Sequence, residues 1–516
     1  MKNLIRVTCA ATLLFAALQL YGQTDLTGFW VFRTPTGDGN FRESFLDLKQ
    51  EGEQVTGNLI QGRRQRPIAE GTFKEGKLHF VVNQPGPNNT TRQIVYDGQP
   101  AEGGKLTLSM SFPGRSPITG EMERSRPEAA LPPPRLPIPE LHDVPDNGLV
   151  RTPPMGWNSW NKFAGRVTDA DVRTMADAMV SSGMSKAGYT YINIDDTWEG
   201  PRDAAGNITT NRKFPDMKAL ADYVHSKGLK IGIYSSPGPK TCAGYEGSYG
   251  HEEQDAKQWA AWGFDYVKYD WCSAADIYKD EEMQPVYQKM GDALRKAGRP
   301  IVYSLCQYGR AEVWKWGPKV GGNLWRTTGD ISDRWASLDR IGFGQAVPGR
   351  LTQLDIDPFI KPGAFNDPDM LEIGNGGMSA DEYRLHMSLW SLLAAPLLAG
   401  NDLRTMTDEI KGILMNTEVI AVDQDRAVKP AKKISEQGTS IVIARQLEDG
   451  SMAVGLFNRG EEPARIPVSW ESIGLAGGKL KARDLWAHKD LDIPGDQYTA
   501  TVPKHGVVML RVTRGN

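Results

Sequence analysis

The stretch Phe264-Asp265-Tyr266-Val267-Lys268-Tyr269-Asp270 is a short run, rich in apolar and aromatic residues, that ends on a carboxylate. Runs of the same kind recur on both sides of it, separated by amphipathic segments such as 169–182, 217–227, 255–262 and 283–297. The candidate strands are residues 156–159, 189–194, 229–234, 264–270, 301–305, 323–326, 363–366 and 392–398. The alternation of eight strands with helices predicts a (β/α)8 TIM barrel.

The regions that flank this barrel differ from it in pattern. Residues 23–126 alternate polar and apolar side chains in short runs separated by glycine, which predicts a small all-β accessory domain, a barrel or a sandwich. Prolines crowd the following segment and predict an extended linker over 127–150. Alternating strands return after the barrel, so we expect a catalytic barrel over 151–425 and a C-terminal antiparallel β-sandwich over 426–516.

Residues 1–22 have the pattern of a cleaved export signal. Basic Lys2 and Arg6 precede an apolar run, and small Gly22 stands before the predicted mature start. Elsewhere, no uninterrupted apolar stretch in the sequence approaches the roughly 18 residues that a membrane span needs. We therefore expect an exported protein, in the periplasm or the medium, without a membrane span.

The composition excludes several classes of protein. The 516 residues include 60 Lys and Arg against 63 Asp and Glu, a formal charge of −3, so nothing attracts the chain as a whole to nucleic acid or anionic lipid. Hydrophobic residues make up 40% of the chain, enough to bury sizeable cores, which excludes disorder.

Three cysteines remain once Cys9 leaves with the signal: Cys242, Cys272 and Cys306. An exported protein can keep a disulfide, and an odd count allows one bridge within the chain at most. Zinc ligation is the competing interpretation, but the sequence has no Cys-x-x-Cys pair and its seven histidines are scattered singly.

Carboxylates recur where the predicted barrel strands end. They are Asp195, Asp196, Asp270, Asp330, Asp367 and Asp369, interleaved with Trp157, Trp198, Tyr234, Lys268, Trp271 and Trp325. Any one of these acids alone is better explained as a helix cap. Several together, at the face where barrels carry their active sites, favour a carbohydrate pocket, since carboxylates accept from sugar hydroxyls and aromatic rings cover sugar C–H faces.

Three other chemistries compete for these residues. Asp367 and Asp369 could join Asp195 and Asp196 around a divalent cation, but no phosphate-cradling glycine loop accompanies them. Lys268 could form a Schiff base, although a lysine so near acids is expected to stay protonated. An esterase is disfavoured because the sequence has no Gly-x-Ser-x-Gly elbow.

Ordered motifs across 152–425 resemble glycoside hydrolase family 27, the melibiase-type α-galactosidases. The matching segments are Pro154-Met155-Gly156-Trp157-Asn158-Ser159-Trp160, Ile194-Asp195-Asp196-Thr197-Trp198, Gly228-Leu229-Lys230-Ile231-Gly232-Ile233-Tyr234, Lys240-Thr241-Cys242-Ala243-Gly244-Tyr245, Val267-Lys268-Tyr269-Asp270-Trp271-Cys272, Trp325-Arg326-Thr327-Thr328-Gly329-Asp330-Ile331 and Asn366-Asp367-Pro368-Asp369-Met370-Leu371. Residues 24–125 lie outside the resemblance.

The resemblance implies a retaining exo-glycosidase that removes terminal α-D-galactosyl residues from oligosaccharides or polysaccharides, without metal or cofactor. It assigns Asp270 as nucleophile and Asp330 as acid/base, two carboxylates about 5–5.5 Å apart. Partial burial near Asp270 is expected to favour the protonated form of Asp330, and Lys268 with Arg326 to keep Asp270 ionised.

The resemblance also assigns the substrate contacts. The substrate-binding set is Trp157, Asp195, Asp196, Tyr234, Lys268, Gln307, Arg326, Asp369 and Met370, in which Asp195 and Asp196 accept from O4 and O6 of an axial-O4 sugar. It pairs Cys242 with Cys272 in a disulfide and leaves Cys306 free.

The segment Cys306-Gln307-Tyr308-Gly309 departs from the family's usual Cys-Glu-Trp or Cys-Ser-Trp at the loop that faces the C2 substituent. β-L-arabinopyranosidase and α-N-acetylgalactosaminidase activity therefore stay open as alternatives on the same scaffold. An alternative of another class is a non-catalytic carbohydrate-binding protein.

Overall fold

The computed structural model describes residues 25–85, 91–347, 351–477, 479–493 and 495–515. The predicted export signal, residues 1–22, lies outside these residues. The chain divides into two units: the first runs up to Pro35 and from Phe41 to Leu131, and the second comprises Thr36–Asn40 and Pro132–Asn516. None of the helices in the described ranges is long and apolar enough to cross a membrane.

The first unit is a closed antiparallel barrel of eight strands, joined in chain order. The strands are β1 (Gly28–Pro35), β2 (Phe41–Glu51), β3 (Gln54–Gln61), β4 (Arg64–Lys74), β5 (Lys77–Pro85), β6 (Thr91–Pro100), β7 (Leu106–Ser111) and β8 (Ile118–Arg124). Alternate residues point inward, so that Trp30, Phe80 and Tyr96 are buried, and the rings of Phe80 and Tyr96 stack 4.6 Å apart. The predicted small all-β domain is confirmed as a barrel.

The second unit carries a parallel eight-stranded sheet with two small hairpins beside it. Its strands in chain order are β9 (Met155–Asn158), β10 (Tyr191–Asn193), β11 (Glu199–Arg202), β12 (Ile208–Thr210), β13 (Lys230–Ser235), β14 (Tyr266–Asp270), β15 (Val302–Cys306), β16 (Leu324–Arg326), β17 (Gln345–Val347), β18 (Leu351–Thr352), β19 (Phe365–Asp367) and β20 (Leu397–Ala399). The sheet runs in the order β19-β16-β15-β14-β13-β10-β9-β20. Consecutive parallel strands are therefore neighbours, which is the TIM-like arrangement that the sequence predicts.

Helices connect these strands, and the last two helices follow β20. They are α1 (Trp160–Phe163), α2 (Asp169–Ser181), α3 (Met217–Ser226), α4 (Glu252–Trp262), α5 (Met283–Lys296), α6 (Trp335–Leu338), α7 (Gln353–Ile356), α8 (Ala380–Leu392), α9 (Asp408–Leu414) and α10 (Thr417–Asp423). Side-chain caps fix where the helices begin: the Thr168 hydroxyl accepts from the Asp171 N–H at the start of α2, and Ser379 does the same for α8.

The last predicted strand is partly wrong. The sequence interpretation started it at Leu392, but Leu392 is the final residue of α8, and the strand begins only at Leu397. The whole stretch is buried and therefore apolar throughout, so periodicity could not separate the helix end from the strand.

The C-terminal part of the second unit is an antiparallel β domain. A six-stranded sheet has the order β21-β22-β23-β28-β25-β26, and β24 pairs with β27. The strands are β21 (Lys432–Gln437), β22 (Ser440–Gln446), β23 (Met452–Asn458), β24 (Ala464–Ser469), β25 (Leu480–Asp484), β26 (Lys489–Leu491), β27 (Gln497–Val502) and β28 (Val507–Arg514). Val442, Leu456, Val468 and Leu510 belong to one buried cluster that joins the two sheets.

The proline-rich segment is largely without regular structure. It begins with the 3-10 turn Pro127–Ala130, and residues 131–150 form neither helix nor strand. From Pro132 onward the segment belongs to the second unit, where Val144 is buried and donates its N–H to the Lys319 carbonyl at 2.7 Å.

A buried acid predicts how stability depends on pH. Asp357 accepts from the Ala431 N–H near Arg445, and burial raises the pKa of its carboxyl to about 8. The native state therefore keeps a proton that the unfolded chain releases near pH 4. The free energy of unfolding should fall as pH rises from about 5 to 8, by at most about 1.4 kcal/mol per pH unit from this group.

Asp357→Asn keeps an acceptor for Ala431 but removes the titrating group, so its urea-unfolding free energy should fall less steeply between pH 5 and pH 8. The exposed Asp222→Asn is the matched control and should keep the wild-type slope. Equal slopes in all three proteins would contradict the assignment.

Candidate active site

Asp270 is the last residue of β14 and lies buried at the carboxyl end of the sheet. Two phenols hold its carboxylate: the Tyr308 hydroxyl donates to Oδ1 at 2.8 Å and the Tyr234 hydroxyl to Oδ2 at 3.1 Å. Burial raises the pKa of Asp270, while the positive charge of Lys268 and the Tyr308 hydrogen bond act in the opposite direction. Both oxygens are thus fixed in orientation.

Lys268 lies two residues earlier on β14 and forms an ion pair with Asp195. Its Nζ is 2.9 Å from Asp195 Oδ2, which also accepts from the Asn158 amide at 2.9 Å. Burial acts to lower the pKa of Lys268, but the charges of Asp195 and Asp270 outweigh it and hold the pKa well above its usual value. Lys268 is therefore a cation here, which disfavours a Schiff-base role.

Asp196 is buried beside Asp195, just after β10. Its Oδ2 accepts the Ala243 N–H at 2.7 Å, and its Oδ1 has no partner among the described residues. Burial raises its pKa to about 7, although the neighbouring Thr241 and Ala243 act to lower it. Asp196 thus offers an acceptor oxygen that the protein itself leaves unused.

Arg326, at the end of β16, joins two of the predicted acids. Its Nη2 lies 2.9 Å from Asp369 Oδ2 and 3.1 Å from Asp330 Oδ1. Burial raises the pKa of Asp369 to about 6, while Arg326 opposes this shift. Arg326 was expected to help keep Asp270 ionised, and the structure places its ion pairs with Asp369 and Asp330.

Asp330, which was expected to be partly buried, is mostly exposed. Its side chain is 68% exposed, whereas that of Arg326 is 4% exposed. Asp330 follows β16 in a loop rather than within the sheet, so neither sheet face covers it. Its charge nevertheless raises the pKa of Asp270, which places the two carboxylates within electrostatic reach of each other.

The predicted aromatic wall is almost wholly buried. Trp157 is 0% exposed and donates its indole N–H to the Asn401 carbonyl at 2.8 Å, and Met370 is 7% exposed. Trp198, Trp271 and Trp325 belong to the hydrophobic core, where Trp271 stacks on Tyr287. These last three were expected as sugar-stacking candidates, but no face of them is open to a ligand.

Cys242 and Cys272 form a disulfide, with Cα atoms 4.8 Å apart, and this confirms the predicted pair. Cys306 is a free and buried thiol. Within the described part of the chain, the potential metal ligands that lie close together are Cys242, Cys272 and Asp270. Because the two sulfur atoms are bonded to each other, they cannot act as thiolates.

The loop after β15 supplies a residue that the sequence interpretation missed. Gln307 was named as the contact, yet it is fully buried and donates its amide to the Arg326 carbonyl at 3.3 Å. It is Tyr308, in the left-handed region with φ +62°, whose side chain reaches Asp270. The departure from the family motif at this position was the available signal.

Buried carboxylates, their cationic partners and an exposed acid gather here at the strand ends of a TIM-like sheet, which is the site type of glycoside hydrolases. Residues 152–425 match the family model described as alpha galactosidase A, and 437–512 match the alpha galactosidase C-terminal beta sandwich domain. The chain belongs to the α-galactosidases of glycoside hydrolase family 27.

Individual relatives agree with the family models. An alpha-galactosidase of Cyamopsis tetragonoloba is 46% identical over 373 residues, which is 71% of this chain and 88% of the relative. Alpha-galactosidase A of Cellvibrio japonicus is 44% identical over 382 residues, 71% of this chain and 93% of the relative. The crystal structure of alpha-galactosidase I from Mortierella vinacea superposes with a TM-score of 0.67 at 36% identity, covering 72% of this chain and 99% of that one.

The Tyr308 contact predicts a change in the pH profile. Tyr308→Phe removes a hydrogen bond that lowers the pKa of Asp270, so the acid limb of kcat/KM against pH should move to higher pH. Because hydrogen bonds to charged groups are worth about 1.5–3 kcal/mol, kcat/KM at neutral pH should fall roughly 10- to 100-fold.

The readout is the rate of hydrolysis of nitrophenyl α-galactoside across pH 4–8. Tyr223→Phe is the control, since that hydroxyl binds Asp177 on the helical surface and not an active-site acid. An unmoved acid limb in Tyr308→Phe would show that this phenol does not act on the nucleophile.

Proposed function

We propose that this chain hydrolyses terminal non-reducing α-D-galactosyl residues with retention of configuration, with Asp270 as nucleophile and Asp330 as acid/base. The observation that carries the proposal is the pair itself: a buried carboxylate fixed by two phenols, with an exposed carboxylate close enough to raise its pKa. One group is oriented for attack and the other has access to protons from solvent.

In the first step, Asp270 attacks the anomeric carbon and forms a covalent ester while Asp330 gives its proton to the departing oxygen. In the second step, Asp330 takes a proton from water, which displaces the ester and restores the carboxylate. The phenols of Tyr234 and Tyr308 leave both oxygens of Asp270 hydrogen-bonded, so that attack requires little reorganisation of the site.

Asp330 must carry a proton when substrate is bound. It is open to solvent in the free enzyme, so it can exchange protons with water. Arg326, which lies beside it, also pairs with the buried Asp369.

The remaining predicted residues would recognise galactose. The carboxylates of Asp195 and Asp196 would accept from O4 and O6, and the free Oδ1 of Asp196 supports this role. Lys268, Arg326 and Asp369 would contact further hydroxyls. Of the predicted apolar wall, Met370 is 7% exposed and would contact the sugar, whereas the buried Trp157 and Tyr234 would support it from beneath. Tyr308 would face the C2 side, with the buried Gln307 behind it.

The proposal also includes a closed (β/α)8 barrel, a C-terminal β-sandwich and export of the protein. The isolated parallel bridge between Leu371 and Ala399 lies beside the open seam of the sheet and supports a closed (β/α)8 barrel. The two antiparallel sheets over β21–β28 support a C-terminal sandwich. Export rests on the pattern of residues 1–22, and the disulfide suits an oxidising compartment.

One observation ranks the alternative sugars. β-L-Arabinopyranose is galactose without the hydroxymethyl group, so it would leave Asp196 Oδ1 buried without a partner, which is costly. An N-acetyl group at C2 would have to fit beside Tyr308. Nitrophenyl α-galactoside should therefore be hydrolysed faster than the β-L-arabinopyranoside or the α-N-acetylgalactosaminide, and a reversed order would replace the proposed substrate.

Asp270→Asn should abolish turnover, at least 10³-fold on the scale of covalent catalysis, while galactose still binds. The measurements are hydrolysis of nitrophenyl α-galactoside and galactose binding by calorimetry, with the exposed Asp222→Asn as control. Unaltered turnover would contradict the assignment of Asp270 as nucleophile. Loss of both turnover and galactose binding would also contradict it, because the lost turnover would then follow from the lost binding.

Asp330→Ala should lose activity on substrates with poor leaving groups, because they need the proton, and much less on activated aryl galactosides. Added azide should restore turnover and yield α-galactosyl azide, the product of two inversions. The β-azide, or no rescue with either class of substrate, would contradict double displacement through this pair.

A further inference from the structure

Asp38 is a buried carboxylate far in sequence from the residues of the site. It belongs to the segment Thr36–Asn40, which is part of the second unit, and it is 3% exposed. Gly37 and Gly39 flank it with φ of +85° and +103°, so the turn that presents Asp38 uses backbone conformations that glycine adopts without strain. No proposed catalytic step uses this acid.

The surroundings of Asp38 keep it ionised. Its Oδ1 accepts from the Thr36 hydroxyl at 2.6 Å and the Asn40 N–H at 3.1 Å. Its Oδ2 accepts from the Tyr245 hydroxyl at 2.5 Å and lies 3.6 Å from Lys213 Nζ. Burial alone acts to raise the pKa of Asp38, but these partners hold it below the usual value.

The first arm of this network runs through Tyr245. The Tyr245 N–H donates to the Thr241 hydroxyl at 3.0 Å, and its carbonyl accepts the Thr241 N–H at 2.9 Å, which closes the loop over 240–246. The same loop carries Ala243, whose N–H donates to Asp196 Oδ2 at 2.7 Å. Fixing Tyr245 therefore fixes the donor that orients Asp196.

The second arm runs through Lys213 to the residue after Asp196. Lys213 Nζ donates to the Thr197 hydroxyl and to the Gly165 carbonyl, each at 2.8 Å. Thr197 is β-branched yet has φ +86°, a strained conformation that its surroundings must maintain. The charge of Asp38 compensates that of Lys213 and so allows this largely covered cation to stay in place.

We propose that Asp38 is a positioning residue for Asp196, holding the loop on one side of that carboxylate and the Thr197 backbone on the other. This rests on the proposed role of Asp196 at the O4 and O6 edge of galactose. Asp38 precedes the family match, which begins at residue 152, so the device is supplied by a part of the chain outside the family model.

The test compares Asp38→Ala, Asp38→Asn and Tyr245→Phe with wild type, and the exposed Asp47→Asn is the matched control. The KM for nitrophenyl α-galactoside should rise roughly tenfold in Asp38→Ala, with kcat within about twofold, since one buried contact is worth about 1.4 kcal/mol. Asp38→Asn keeps an acceptor and should show a smaller rise, and Asp47→Asn none.

The inhibition constants of free sugars separate positioning from a general loss of structure. The affinity for D-galactose should fall in Asp38→Ala by more than that for L-arabinose, which lacks the hydroxymethyl group that Asp196 would bind. In an Asp196→Asn background, Asp38→Ala should add little to the KM, because the group it positions is already lost.

Equal losses for both sugars, or additive effects with Asp196→Asn, would overturn the inference. If the wild type hydrolyses α-galactosides and Asp38→Ala has an unchanged KM, the positioning role of Asp38 is overturned and the proposed function stands. If the wild type does not hydrolyse α-galactosides, the proposed function itself is overturned. If Asp38→Ala does not fold, Asp38→Asn and Tyr245→Phe carry the same comparison.

Discussion

The site depends on how an excess of buried negative charge is compensated. The carboxylates at 195, 196, 270, 367 and 369 are all buried, and two cations, the buried Arg326 and the largely covered Lys268, lie among them. Uncompensated charge in a protein interior costs several kcal/mol per ion, so the strand ends can hold these acids only because Lys268 pairs with Asp195 and Arg326 with Asp369. Burial nevertheless raises the pKa values of Asp196, Asp270 and Asp369 above the usual value of an aspartate.

Residues with a strained backbone conformation lie next to the buried carboxylates of the site. Thr197, Tyr308 and Asp369 are not glycine, yet they have φ of +86°, +62° and +101°. Each of them follows a strand of the parallel sheet. Thr197 and Tyr308 are next to predicted site residues, and Asp369 is itself a predicted site residue. Such conformations cost of order 1–3 kcal/mol and persist only where surrounding contacts impose them. In this protein, the network through Lys213 is one such set of contacts, and the Arg326 ion pair with Asp369 is another.

The division of labour between the two proposed catalytic carboxylates follows from where each stands relative to the sheet. Asp270 closes a strand and is enclosed by its neighbours, whereas Asp330 stands in the loop beyond β16 and reaches solvent. A nucleophile gains from fixed orientation, and an acid/base gains from exchange of protons with water. The fold thus gives two identical side chains different environments.

The sequence alone determined the elements and most of the chemistry. Strand runs that end in acids, such as 264–270, predicted a TIM-like sheet with carboxylates at one edge, because alternating burial and strand ends are local properties of the chain. The tertiary structure alone decided which side chains meet: that Tyr308 rather than Gln307 reaches Asp270, that Asp330 is exposed, and that Asp38 binds Tyr245. The two contacts join residues that are 38 and 207 positions apart in the chain. A local pattern records whether a side chain is buried, but not which partner it is buried against.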